Sequence, residues 1–216
     1  MVLRNLGSAL TQQGQHDQAI VPLHDAIRIY RETGDEHGEG TALTNLGAVL
    51  LQAGQLDDAA TTLRGAVSIH RRNGARHNEA TALVNLGGAL LLAGHLDEAI
   101  TTLEDAAQTH RELGDHSGRA AALANLGAAL QQAARHDEVI ITYRVAARLN
   151  RLTGNRQEEA LMLTLLAGIY HKTMRFEEAV TALQEAALIY NDIGDKEREN
   201  ETLTSVEAAR QEQQSA

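Results

Sequence analysis

The tripeptide Asn-Leu-Gly returns every 40 residues along this 216-residue chain. It stands at Asn5-Leu6-Gly7, Asn45-Leu46-Gly47, Asn85-Leu86-Gly87 and Asn125-Leu126-Gly127, with a degraded fifth copy at Leu165-Leu166-Ala167. Other signals keep the same register. Gly14-Gln15-His16-Asp17 answers to Gly54-Gln55-Leu56-Asp57 and to Gly94-His95-Leu96-Asp97, and a second glycine series runs Gly34, Gly74, Gly114, Gly154, Gly194. Copies repeated without insertion mean tandem units of one kind, each dependent on its neighbours for a core.

Inside one copy the apolar spacing is helical. Leu43, Leu46 and Leu50 mark one stripe, and Ala59, Leu63, Ala66, Val67 and His70 mark a second. Gly54 separates the stripes, where a left-handed residue ends a helix. Gly34 then Asp35 separates copies: the glycine stops one helix and the aspartate caps the next. Asp115, Asn155 and Asp195 are placed to cap likewise, whereas Ala75 cannot, which predicts a weaker junction there.

Each copy therefore reads as an antiparallel helix pair. First helices are expected near 1–13, 36–53, 76–93, 116–133 and 156–173; second helices near 17–33, 57–73, 97–113, 137–153 and 177–193. The domain expectation is five repeats over 1–195 (1–35, 36–75, 76–115, 116–155 and 156–195), then a capping helix and short polar tail over 196–216. The cap keeps Leu203 and Val206 but puts Glu207 and Arg210 where the repeats have glycine and leucine. Residues 1–13 fall about four residues short of a full first helix, which reads either as a short helix or as a chain cut from a longer protein.

The pattern has departures. Ala134 and Met174 replace turn glycines, so those turns must change geometry or accept strain. Pro22 lies inside a second helix, where it removes a backbone hydrogen bond and predicts a bend. Gly47 and its equivalents sit in mid-helix, where glycine costs about 1 kcal/mol relative to alanine. Close approach of a neighbouring helix backbone is the expected reason.

Charge and composition narrow the function. With 19 basic against 29 acidic residues the net charge is −10, unsuited to nucleic acid or anionic lipid. There is no cysteine, so disulfides, zinc–thiolate sites and thiol catalysis are excluded. No apolar run approaches a membrane span and no signal-peptide pattern opens the chain, so the expected location is the cytoplasm. The few lysines and abundant alanine, glycine and arginine suggest a bacterial genome rich in G and C. The ten histidines show no His-Glu-x-x-His motif and no i, i+4 pair, so no metal site is expected. No nucleophile motif and no phosphate-binding glycine loop is found. The expectation is a protein that is not an enzyme and takes no cofactor.

The Leu-Gly pair of the first helix and the spaced alanines of the second, here Leu46-Gly47, Ala59 and Ala66 with their equivalents, resemble the tetratricopeptide repeat. The 40-residue form with asparagine before Leu-Gly is similar to kinesin light chain and the Leu-Gly-Asn spindle adaptors, and to the arrays of actinobacterial signalling NTPases and transcriptional regulators. The resemblance implies an all-α, right-handed superhelix of about five helix-turn-helix repeats whose first helices line a concave groove. Asn5, Asn45, Asn85 and Asn125 would then form a ladder along that groove, sharing the face with Gln12, Thr41, Gln52, Thr81, Gln132 and Lys172. A carboxamide offers donors and an acceptor, which suits the unpaired backbone of a guest peptide. The alternative is that each asparagine bonds the adjacent repeat or water.

The groove face is otherwise small and neutral, so a clamp for a terminal carboxylate is not expected. The partner expectation is a protein or peptide, with neither nucleic acid nor membrane, and the role that of the interaction or sensor part of a bacterial regulator. The competing expectation is a self-assembling structural element, forming a homo-oligomer through the open N-terminal repeat.

Overall fold

A computed structural model describes residues 13–215 together with Leu3, Leu6, Ala9 and Leu10. Those residues are helical apart from the tight turns, and there is no strand among them. Among the described residues from His16 onward ten helices follow one another: α1 (His16–Thr33), α2 (Glu36–Gln52), α3 (Leu56–Arg72), α4 (Arg76–Leu92), α5 (Leu96–Glu112), α6 (His116–Gln132), α7 (His136–Thr153), α8 (Arg156–Lys172), α9 (Phe176–Asp192) and α10 (Lys196–Ser215). The chain divides into two units, Met1–Gly114 and Asp115–Ala216. The first contains α1 to α5, the second α6 to α10, and within each unit consecutive helices pack against one another.

The interior of each unit is leucine, isoleucine and alanine, as so aromatic-poor a chain requires. In the first unit Leu23, Leu63, Leu90 and Leu103 are fully buried; in the second Leu130, Leu166 and Ile169 are buried, with Tyr143 and Tyr190 as the bulky members. The mid-helix glycines belong to this packing. A methyl group added at Gly47 would collide with the Leu63 side chain, one at Gly87 with Leu103, and one at Gly127 with the Tyr143 ring. The approach is thus of a side chain from the second helix, not of a neighbouring backbone as the sequence suggested. Each glycine is a socket for one leucine or tyrosine.

The turns inside the hairpins have one geometry. Gly54 is left-handed at φ 75°, with Gln55 N–H donating to the Leu50 carbonyl at 2.9 Å. Ala134 (φ 56°) and Met174 (φ 60°) hold the same conformation, so these turns accept strain of roughly 1–2 kcal/mol each and keep the geometry. Pro22 is buried within α1, which continues through it from His16 to Thr33.

Between hairpins the expected caps are present. Asp35 accepts from Gly38 N–H at 2.8 Å, Asp115 from Gly118 N–H at 2.9 Å, Asn155 from Glu158 N–H at 3.4 Å and Asp195 from Arg198 N–H at 3.1 Å. Ala75 makes no side-chain cap. A second fastener, unforeseen in the sequence, spans this type of junction. Arg71 Nε donates to Glu79 at 2.7 Å and Arg76 Nη1 to the other oxygen at 3.0 Å, with the Glu79 side chain 0% exposed. Arg31–Glu39 (2.6 Å) and Arg151–Glu159 (2.6 Å) repeat the pairing, and Arg156 also binds Glu159. The carboxylate lies near the start of a first helix, where the backbone dipole favours it. At Ala75 this pair supplies the fixing that the missing cap does not.

Candidate functional site

The predicted ladder residues are half-buried where they are described. In the first unit Thr41 and Asn45 lie on α2 and Asn85 on α4, with Gln52 and Thr81 exposed beside them. Helices α2 and α4 are in contact, so the two asparagines occupy equivalent places on adjoining first helices. In the second unit Asn125 is half-buried on α6, Gln132 is exposed at the end of that helix, and Lys172 is exposed at the end of α8. The equivalent of Asn125 on α8 is Leu165, so the amide series ends within this unit. Asn5 and Gln12 fall outside the described residues.

The face is built of small groups. Ala48 and Gly88 follow Asn45 and Asn85, and Ala128 follows Asn125. Thr41 and Thr81 direct their hydroxyl protons back to the carbonyls of His37 (2.9 Å) and His77 (3.1 Å), leaving oxygen lone pairs but no proton for a guest. The carboxamides are therefore the donors of this face. Asn45 is engaged within the chain. The side chains of Asn85 and Asn125 make no hydrogen bond to another described residue, so the bond to an adjacent repeat is not formed by these two. In the second unit a cleft of about 260 Å³ opens beside α8 and α10, lined by Thr164, Gly168, His171, Ser205 and Ala208. No atom lies within 4 Å of a methyl built on Gly168, so this glycine leaves room on the face. His171 is spent on Glu212 at 2.7 Å, so it is not a free cation for a carboxylate.

Two histidine arrangements were not foreseen. His70 is fully buried, and its Nε2 lies 3.1 Å from Thr44 Oγ1. Thr44 gives its own proton to the Gly40 carbonyl at 3.0 Å, so the ring donates and its Nδ1 is left as a buried acceptor without a partner. Burial, reinforced by His37, holds the His70 pKa below the ordinary histidine value, although Gly40 and Glu79 act the other way. A hydroxyl beside an imidazole is the start of a nucleophile–base pair, but this one is sealed in the core and no carboxylate orients the ring. It is a packing contact. His77 and His110 meet edge to face with ring centroids 6.1 Å apart. Their separation of 33 residues, from one first helix to the end of its second, is the same as that of His37 and His70 and was the available signal.

Comparison with known proteins places these observations. A family model described as "Tetratricopeptide repeat" matches residues 1–72, 41–112 and 78–152. No curated protein matches the chain. Among solved structures, the Signal Transduction ATPase with Numerous Domains protein with a tetratricopeptide repeat sensor from Pyrococcus horikoshii aligns at TM-score 0.79 and 17% identity, over 93% of this chain and 31% of that one. The chain thus spans less than a third of that ATPase. A Rap protein complexed with Competence and Sporulation Factor aligns at TM-score 0.70 and 19% identity, over 96% of this chain and 63% of that one. Kinesin light chain repeats from Podosopora anserina align at TM-score 0.53 and 22% identity, over 100% and 96%.

Proposed function

Because the chain belongs to the tetratricopeptide-repeat family, we propose that it is a scaffold holding a peptide or protein segment against its first helices. The observation that carries this reading is the series of half-buried carboxamides among small neutral neighbours; the side-chain amides of Asn85 and Asn125 make no hydrogen bond to another described residue. Such amides are suited to the backbone N–H and C=O groups of a guest. Gln52, Thr81, Gln132 and Lys172 would border the guest, and Asn5 and Gln12 would extend the series. The chain would be the interaction or sensor part of a bacterial cytoplasmic regulator. In support, a tetratricopeptide repeat sensor is part of the Pyrococcus ATPase, and the Rap protein is complexed with Competence and Sporulation Factor. No helix among the described residues is long and apolar enough to cross a membrane. The self-assembly reading depends on the first repeat, most of whose opening residues lie outside the described ones.

The test starts from peptides selected on the immobilised protein from a random displayed library. Their affinities are then measured for Asn85→Ala with Asn125→Ala, after a circular dichroism melt has verified the fold. Loss of two amide hydrogen bonds predicts about a tenfold or greater weakening. Selected peptides that bind the double variant as tightly as the parent would reject the ladder.

A further inference from the structure

The two units differ on the side formed by their second helices. In the first unit two ion pairs cross from α3 to α5: Arg64–Glu98 at 2.7 Å and Arg71–Asp105 at 2.9 Å. The equivalent residues in the second unit are Arg144 with Glu178, and Arg151 with Glu185, between α7 and α9. The first of these does not form, and the second is stretched to the limit of an ion pair. Glu178 is held by Arg175 of its own turn, at 2.9 and 2.7 Å, and Arg151 stands 4.0 Å from Glu185. For Glu178 the cause is a single position. The residue before the second helix is Gln55 or His95 in the first unit but Arg175 here, and it diverts the carboxylate that would strap the furrow.

The unstrapped furrow is open and basic along one edge. It comprises two adjoining hollows of about 250 and 310 Å³ that share Arg144, Leu163 and Glu185. Arg148 lines it as well. In α1 the equivalent Arg28 is flanked by Asp25 (3.4 Å) and Glu32 (3.2 Å), but the residues around Arg148 are Val145 and Leu152. Among the described residues, then, neither Arg144 nor Arg148 has a carboxylate within 4.0 Å, although Arg144 acts on Glu178 through space. On the same edge Ile141 is 63% exposed and Leu152 66% exposed, where the other copies have mostly threonine and charged residues.

We propose that this outer furrow of the second unit, lined by Arg144, Arg148 and Leu152 above Leu163, is a second docking site, which takes an acidic amphipathic helix of a partner protein. Arginines four residues apart on α7 lie about 5–6 Å from one another at Cβ, matching carboxylates at i and i+4 of a guest helix. Guanidinium groups bind carboxylates in bidentate fashion, and the apolar rim and floor receive the leucines between them. An extended polyanion is disfavoured, because Glu178 and Glu185 close the opposite edge and the chain carries a net charge of −10.

The probe is a fluorescein-labelled helical peptide with glutamates four residues apart and a leucine beside each, followed by anisotropy, with a lysine-for-glutamate peptide as control. The expected result is saturable binding of the glutamate peptide alone, weakened about tenfold or more by Arg144→Glu with Arg148→Glu and reduced by added salt. Arg175→Gln releases Glu178 towards Arg144 and is expected to weaken binding although Arg144 and Arg148 are kept. Asn85→Ala with Asn125→Ala should leave it unchanged, so failure of the first-helix reading is seen separately. Each variant is melted by circular dichroism; if the double glutamate substitution does not fold, Arg144→Gln with Arg148→Gln replaces it. Unaltered binding by the double variant, or no saturable binding of the glutamate peptide, overturns the proposal. A concentration-dependent dimer in sedimentation that the double variant abolishes would also overturn it, by assigning the furrow to a second copy.

Discussion

His70 is an apolar-core residue with a titratable ring, and its sign of action on stability can be worked out. Burial lowers its folded pKa below the ordinary value. Below about pH 6.5 the unfolded chain takes up a proton that the folded core resists, so stability is lost as the pH falls from about 6.5 through the depressed folded value. Above that window the neutral ring bonded to Thr44 contributes in full. The charged groups around it are His37, which repels the imidazolium, and Glu79, which favours it. Asn150 occupies the equivalent place in the second unit and is 5% exposed, so His70→Asn is a natural replacement. Urea midpoints between pH 7.5 and 5 should fall more steeply for the parent than for His70→Asn. Parallel curves would show that His70 does not titrate in the transition. The period places His70 on the apolar stripe of its helix, but it does not say what lets a polar ring be buried there. Its acceptance depends on Gly40 making room and Thr44 supplying a partner, both of them in the preceding helix. The glycine sockets were legible only by half: recurrence declared a close approach at Gly87, but not that Leu103 is what fills it.

The helices and their turns were readable because each signal is local. Gly54 and Asp35 act within four residues of themselves, and the expected second helices near 57–73 and 97–113 run Leu56–Arg72 and Leu96–Glu112. The Arg–Glu junction was not read, although Arg31, Arg71 and Arg151 precede Glu39, Glu79 and Glu159 by eight residues each time. Charges in a polar turn look solvated until the packing buries one member. Burial is one-sided here: Glu159 is 1% exposed while the side chain of Arg151 is 61% exposed. The order of effects follows. Arg151→Ala with Arg156→Ala strands a buried carboxylate and should cost about 3–5 kcal/mol. Glu159→Gln leaves a neutral amide inside and two solvated arginines outside, and should cost about 1 kcal/mol. Denaturant unfolding of the two variants gives the comparison, and a glutamine variant as unstable as the double alanine would reject the account. The Asn face was legible in part by the same logic. Periodicity placed Asn45, Asn85 and Asn125 on one side of their helices, but not which of them the chain itself would engage.

Repeat arrays are stabilised by their own hairpins and by the nearest neighbours, so a stretch with a closed interior can stand alone. The second unit has that character. Its first helix is capped by Asp115 through Gly118 N–H at 2.9 Å, and its last, α10, buries Thr202, Val206 and Ala209 while Glu201, Glu207 and Arg210 stay in water. Between these ends every helix packs against the next, and the Arg151–Glu159 junction lies inside the unit. The division of the chain falls at Gly114 and Asp115, between Arg111 and Arg119, the place in the register where both residues of the repeated Arg–Glu pair are basic. Residues 115–215 expressed alone should therefore give a helical circular dichroism spectrum and one cooperative urea transition, with a stability of about 5 kcal/mol. A coil spectrum, or a broad transition without a folded baseline, would show that this interior is not self-sufficient. The fragment would then need the hairpins before it to fold, and the acidic-helix site proposed on α7 would have to be assayed only in the full chain.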